Sequence, residues 1–258
     1  MAKAGLQKRP AYLAYHWFWR TLDWVFPPAC AGCGKTGERW CAECQKAVVR
    51  IPAVVCPCCG SPQRSDLVCK RCEQGRPSFQ ALRSFAEFGG VLREGIHKLK
   101  YKGNLGMGEA LSVPLIDFAS HLDWEFDLVV PVPLSAGRLK ERGYNQAALL
   151  ARPLALAFGK SWSTNALERI RETASQVHLS VKERRLNVAG AFQANAPRVR
   201  NRTILVVDDV TTTGSTIDAC AEALLSEGAA GVYGLTLARA VQRVHQTDQM
   251  GSERAQIV

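Results

Sequence analysis

The segment Ile204-Leu205-Val206-Val207-Asp208-Asp209-Val210-Thr211-Thr212-Thr213-Gly214-Ser215-Thr216 joins four apolar residues, two acids and a run of hydroxyls around one glycine. The apolar run reads as a strand buried on both faces of a parallel sheet. Ligands of such sheets bind beyond the carboxyl ends of the strands, where Asp208 and Asp209 fall. Carboxylates there suit the vicinal hydroxyls of a sugar, directly or through Mg²⁺. The turn from Val210 and Thr211 to Thr216 leads into a helix, whose free N–H groups favour an anion. Gly214 permits close approach, and Thr212, Thr213, Ser215 and Thr216 can donate to phosphate oxygens. The loop carries no lysine, which separates it from the P-loop pattern.

A second chemistry-bearing set is Cys30-x-x-Cys33, Cys41-x-x-Cys44, Cys56-x-x-Cys59 and Cys69-x-x-Cys72. Paired C-x-x-C spacing favours metal over disulfides. Two such knuckles complete a tetrahedral zinc site, so four allow one or two structural zinc ions. Neighbouring pairs could share a metal, or alternate pairs could; the sequential arrangement is the expectation. With every position filled by sulfur, neither site keeps an open position for catalysis. Cys58 is the odd cysteine inside a knuckle, and Cys220 stands alone on the helix after the hydroxyl loop, where it reads as core.

A second anion site is expected where Val129 to Pro133 ends a buried strand. Ser135, Arg138, Lys140 and Arg142 follow it on a loop and helix. Residues 169–192 are rich in basic side chains and poor in apolar ones, which suits a lid that excludes water. Its polar candidates are Arg171, Thr173, Gln176 and Arg184, with His178 the one histidine at a plausible catalytic place.

These groups need elements to hold them. Strands are expected over 82–90, 126–133, 202–210 and 232–240, and helices over 91–101, 107–121, 143–158 and 214–227. Apolar strands alternating with amphipathic helices give an α/β fold with a parallel sheet covered on both faces. Residues 11–26 form a helix by period, with Trp17, Phe18, Leu22 and Val25 near one face, stopped by Pro27 and Pro28. That helix packs on the rest of the protein or docks at a membrane surface or partner. Residues 30–72 cannot bury a core and need a staple to fold. The expected organisation is a helical segment over 1–28, a zinc module over 29–78, the α/β domain over 79–240 and a polar tail over 241–258.

The chain of 258 residues carries a formal charge of +10. Residues 1–80 hold 12 Lys/Arg against 5 Asp/Glu, and residues 81–258 hold 21 against 18. Eight thiolates on two zinc ions would bring the basic excess of the first part down to about +3, which weakens the case for a nucleic-acid patch there. No apolar run approaches the ~20 residues of a membrane span. His16, Arg20 and Asp23 interrupt the aromatic stretch after the basic start, so no signal peptide is expected and the expected location is cytoplasmic.

The run from Ile204 to Thr216 resembles the phosphoribosyl-pyrophosphate motif of type I phosphoribosyltransferases. Four features occur in one order: the C-x-x-C pairs, Pro131 to Leu134 followed by Arg142 to Ala147, Arg171 to Gln176 followed by Arg184 to Val188, and that run. In this the chain is similar to the ComF family of competence-associated, amidophosphoribosyltransferase-like proteins, over roughly residues 26–240. The resemblance implies a type I phosphoribosyltransferase-like parallel sheet flanked by helices, behind a small Cys-rich zinc module. It implies phosphoribosyl pyrophosphate with Mg²⁺ as ligand, Asp208 and Asp209 as catalytic residues on the ribose, and Val210 to Thr216 on the 5-phosphate. Ser135, Arg138, Lys140 and Arg142 would then hold pyrophosphate, under a lid carrying Arg171, Gln176 and Arg184. It also implies a role in handling DNA taken up in natural transformation. The alternatives are a non-catalytic phosphoribosyl-pyrophosphate sensor, a single-stranded-DNA-binding zinc protein, and an adaptor for competence machinery proteins. Ser135 and Gly137 stand where relatives commonly have His and Arg, and Lys140 where Arg is frequent; lysine keeps the charge but loses bidentate geometry.

Overall fold

The computed structural model describes residues 9–172 and 187–241. Thr173, Gln176, His178 and Arg184 of the expected lid, and the tail beyond Val241, lie outside the described residues. The elements run α1 (Pro10–Val25), α2 (Ala42–Lys46), α3 (Lys70–Gln74), β1 (Ala81–Glu87), α4 (Gly90–Tyr101), α5 (Gly106–Ser120), β2 (Leu128–Pro131), α6 (Ala136–Arg142), α7 (Gln146–Phe158), β3 (Ser161–Trp162), β4 (Leu167–Arg169), β5 (Phe192–Ala194), α8 (Ala196–Val199), β6 (Thr203–Thr211), α9 (Ser215–Ser226) and β7 (Gly231–Arg239).

The main sheet has the order β1-β7-β6-β2-β3, and every neighbouring pair is parallel. β6 is its central strand, and alternation along it divides the core. Leu205 and Val207 join Val129, Leu235 and Leu237 in one apolar cluster, beneath α4, α5 and α7. Ile204 and Val206 join Leu82, Leu128, Val130 and Val232 in the other, beneath α9. Both faces are therefore covered, as uninterrupted apolar strands require. The four expected strands are present within a few residues. The expected helix over 143–158 is α7, which starts at Gln146 because Gly143 takes a left-handed φ of +74° to end the preceding α6 and Asn145 then caps α7. β3 and the antiparallel β4–β5 pair have no counterpart in the sequence reading; at two or three residues each they are too short to show a period.

The cysteine-rich segment lies along the open edge of β1. Leu82 N–H donates to Cys58 O at 2.8 Å and Glu87 N–H to Val49 O at 2.8 Å, so the module pairs backbone groups that a bare edge strand would expose. The stretch 74–79 is a packed connection, since Ser78 N–H donates to Asp218 Oδ1 at 2.7 Å and Phe79 is buried. Helix α1 packs through Tyr12, Tyr15, His16, Trp19 and Leu22, and His16 Nδ1 lies 2.5 Å from Glu109 Oε1 on α5. The face with Trp17, Phe18 and Val25 points outward, and beyond it Trp24 is 85% and Phe26 72% exposed. No helix among the described residues is long and apolar enough to cross a membrane.

Gly60 marks the tightest approach of the module to the sheet. It adopts φ +65°, and a Cβ there would lie 2.3 Å from the carbonyl oxygen of Leu82. Gly60→Ala is expected to cost about 1–3 kcal/mol of stability, through overpacking and left-handed strain together. Urea unfolding measures it; an unchanged midpoint would mean that the module is not seated on β1 at this point.

Candidate functional site

The two acids that end β6 belong to opposite faces of the sheet. Asp209 continues the row of Leu205 and Val207 toward α4 and α7, while Asp208 continues the row of Ile204 and Val206 toward α9. Asp209 is 2% exposed and fully engaged. Lys100 Nζ, from the last turn of α4, lies 2.5 Å from its Oδ2, and Gln146 Nε2, from the first turn of α7, donates to its Oδ1 at 3.2 Å. Asn145 holds that turn in place: its Oδ1 accepts from Ala147 N–H and its Nδ2 donates to Val132 O, both at 2.9 Å. Arg142 donates to Gln146 Oε1 at 2.8 Å and to the Tyr101 hydroxyl at 3.3 Å, with its guanidinium 4.9 Å from the Tyr101 ring centre. Tyr144 donates its hydroxyl to Leu99 O. The Arg-Gly-Tyr-Asn-Gln run thus docks α6 and α7 against α4 and supports Asp209.

Electrostatics separate the two acids. Burial alone would raise Asp209, but the Lys100 charge and hydrogen bonds from Lys100, Asp208 and Gln146 hold its carboxyl below the usual range. Burial, and then the neighbouring Asp209 charge, push Asp208 well above that range. Burial works against the Lys100 ammonium, yet Asp209 outweighs it and raises Lys100. The pair therefore carries one charge readily and holds a proton for the second, an arrangement that suits an incoming dication or sugar hydroxyls beside Asp208.

The hydroxyl loop leaves β6 at Thr211, whose carbonyl accepts from Ala240 N–H at 2.9 Å. Val210 packs on the apolar cluster beneath α7, and Thr211 is buried, so their side chains serve the strand. Gly214 takes φ +89° and caps α9, where a Cβ would lie 3.0 Å from Leu82. Thr213 Oγ1 and Ser215 Oγ lie 2.7 Å apart, and Ser215 N–H donates to Thr213 Oγ1 at 3.3 Å. The loop thus brings hydroxyls and the start of a twelve-residue helix to one spot. Such a turn can hold a phosphate.

Of the second anion set, Ser135 caps α6 through Arg138 N–H at 3.5 Å, and Arg138 and Lys140 are exposed on α6. Arg171 donates to Asn187 O at 3.0 Å and Ala189 O at 2.7 Å, which joins the two described ends of the segment expected as a lid. Lys100, Gln146 and Tyr101 were not singled out from sequence. Lys100 stands among Lys98 and Lys102 in a basic run that looks like a solvated face until α4 is placed over β6.

The cysteines gather sequentially, as Cys30, Cys33, Cys41 and Cys44, and as Cys56, Cys59, Cys69 and Cys72, with all sulfurs of each set within 4.8 Å of one another. The Cys33–Cys41 and Cys59–Cys69 sulfur separations are both 3.7 Å, matching the edge of about 3.8 Å for a tetrahedron with bonds of ~2.3 Å. Burial opposes it, but backbone N–H groups bring the Cys30 and Cys56 thiols down to about 6, while burial and neighbouring sulfurs raise Cys44 and Cys72. Four such sulfurs ionise together only around a dication, so both sets fit zinc.

Comparison with known proteins agrees with this layout. Residues 21–73 match the double zinc ribbon domain and residues 141–249 the phosphoribosyl transferase domain. The chain is 38% identical over 205 residues to DNA utilization protein YhgH of Escherichia coli K12, covering 77% of this chain and 89% of that protein. It is 31% identical over 217 residues to competence protein ComFC of Bacillus subtilis, with coverages of 80% and 86%. It is 30% identical over 208 residues to competence protein F of Haemophilus influenzae, with coverages of 78% and 90%. Among solved structures, adenine phosphoribosyltransferase from Thermoanaerobacter pseudethanolicus aligns with a TM-score of 0.33 and 16% identity over 54% of this chain and 83% of that one.

Two outcomes are expected. Metal analysis should find two zinc ions per chain, one for each sulfur set; one or none overturns that assignment. Lys100→Met should cost about 3 kcal/mol at pH 7, because it leaves Asp209 buried and unpaired. In the wild type the lowered Asp209 contributes stability above its unfolded pKa and loses it as pH falls. In the variant Asp209 is raised instead, so the gap between the two proteins should shrink on acidification. Urea unfolding at pH 7 and pH 4.5 reads both, and a pH-independent gap would contradict the pairing.

Proposed function

Because the chain belongs to the ComF family of competence-associated proteins, we propose that it binds the magnesium complex of phosphoribosyl pyrophosphate at the carboxyl end of β6. The observation that carries this reading is the juxtaposition of the Asp208–Asp209 pair with the Thr212–Ser215 turn. Asp208 and Asp209 take the ribose hydroxyls, and the hydroxyls and N–H groups from Thr212 to Thr216 take the 5-phosphate. Ser135, Arg138, Lys140 and Arg142 face the pyrophosphate, with Arg171, Gln176 and Arg184 on the covering segment. Magnesium, when bound, neutralises the diphosphate. The sequence of events is loss of pyrophosphate from C1 and its replacement by a base or amine, with the covering segment keeping water out. Relatives named for DNA utilization and competence support a role in the handling of incoming DNA, with single-stranded DNA or competence proteins as partners.

One observation favours a second reading, a sensor that binds without turnover. Lys100 already neutralises Asp209, so ligand must either share that carboxylate with an internal cation or displace it. Such a contact suits a site that changes state on binding.

Calorimetry with phosphoribosyl pyrophosphate and Mg²⁺ tests binding, and pyrophosphate release over a panel of bases tests turnover. Asp209→Asn is expected to weaken binding by about tenfold or more, the worth of a lost charged hydrogen bond. No heat from the wild type refutes the proposal; heat without release for any acceptor selects the sensor. The raised Asp208 adds a sign. Ribose hydroxyls that donate to Asp208 favour its ionised form, so binding should release a proton and tighten as pH rises. Calorimetry in two buffers of different ionisation enthalpy reads that proton, and uptake instead of release would contradict the placement.

A further inference from the structure

Arg239 ends β7 and is 2% exposed, the largest fully buried side chain among the described residues. Its Nη1 donates to Thr212 O at 3.0 Å and its Nη2 to Cys59 O. One guanidinium, 180 residues from Cys59 in sequence, therefore joins the hydroxyl loop to the second cysteine set. Cys59 supplies both the accepting carbonyl and one of the four clustered sulfurs, so a metal on that sulfur fixes the carbonyl as well. Around the same set lie Arg71 and Arg83, the latter donating to Pro57 O at 3.0 Å. Four thiolates with one zinc keep a net charge near −2, which favours a buried guanidinium beside them. At the other end, the peptide is planar and trans, so a Thr212 carbonyl held toward Arg239 turns the Thr213 N–H the opposite way. Thr213, Gly214 and Ser215 also share a cavity of about 350 Å³ with Cys59, Arg71 and Cys72, which places the two units face to face. The first cysteine set makes a different connection: Arg39 ties it to Asp23 on α1 and, at 3.3 Å, to Asn104.

We infer that Arg239 is a positioning residue through which the second zinc site, and not the first, sets the backbone of the phosphate loop. The phosphate role of the loop comes from the preceding reading; the mechanical link does not depend on it.

Hydrogen exchange on the full chain tests the link without ligand. In Arg239→Gln and in Cys72→Ser, peptides spanning Thr212 to Asp218 should exchange about tenfold faster, as for loss of a charged hydrogen bond. In Cys33→Ser they should not change. Arg239→Gln should keep two zinc ions, and Arg239→Lys, which reaches one carbonyl and not both, should be intermediate. If Arg239→Gln fails to fold, the lysine variant and the two cysteine variants decide. Loop exchange that is unaffected by Cys72→Ser, or equally affected by Cys33→Ser, overturns the inference. A second arm measures phosphoribosyl pyrophosphate with Mg²⁺, expected to bind about tenfold more weakly to Arg239→Gln. A wild type without ligand heat but with the exchange pattern above supports the link and refutes the phosphate reading.

Discussion

Two adjacent carboxylates at the end of a buried strand cannot both be charged without help, and much of the surrounding structure supplies that help. Strand alternation sends Asp209 toward α4 and α7 and Asp208 toward α9, so the two acids meet different partners although they are neighbours in sequence. Asp209 is matched by Lys100 and Gln146, while burial and the Asp209 charge leave Asp208 raised. The ends of α4, α6 and α7 converge to make this possible, through Arg142, Tyr144 and Asn145.

A buried ion pair of this kind is weak evidence for stability, since desolvation offsets much of its attraction. Its value lies in what it prevents. Without Lys100, burial would push the Asp209 carboxyl toward its protonated form, which gives up one acceptor position to a donor. The ammonium therefore keeps Asp209 ionised.

The cysteine module has two structural jobs that its sequence does not separate. The stretch from Val49 to Cys58 covers the open edge of β1 and the second cysteine set reaches the hydroxyl loop through Arg239, while the first set holds α1 through Arg39. Helix α1 leaves Trp24 and Phe26 outside any apolar cluster among the described residues. The aromatic face that its period suggested is the outward one; Tyr12, Tyr15 and Trp19, one step around the helix, make the contact.

What the sequence determined by itself is whatever a local pattern encodes. Four apolar residues before two acids mean a buried strand ending in charge, and C-x-x-C pairs mean a knuckle, since both depend on neighbours within a few residues. The parallel α/β class, the hydroxyl turn and the expected sequential grouping of the sulfurs were legible for that reason. Strand order was not, nor were the two- and three-residue strands, because pairing is a relation between distant segments. Lys100 and Arg239 are ordinary basic residues in sequence, one in a lysine-rich helix end and one at a strand terminus. Only the packing of α4 over β6, and of the second cysteine set against β1 and β7, converts them into partners of Asp209 and Thr212. Tertiary structure decided that much because a buried charge is defined by what closes over it, and those groups come from far along the chain.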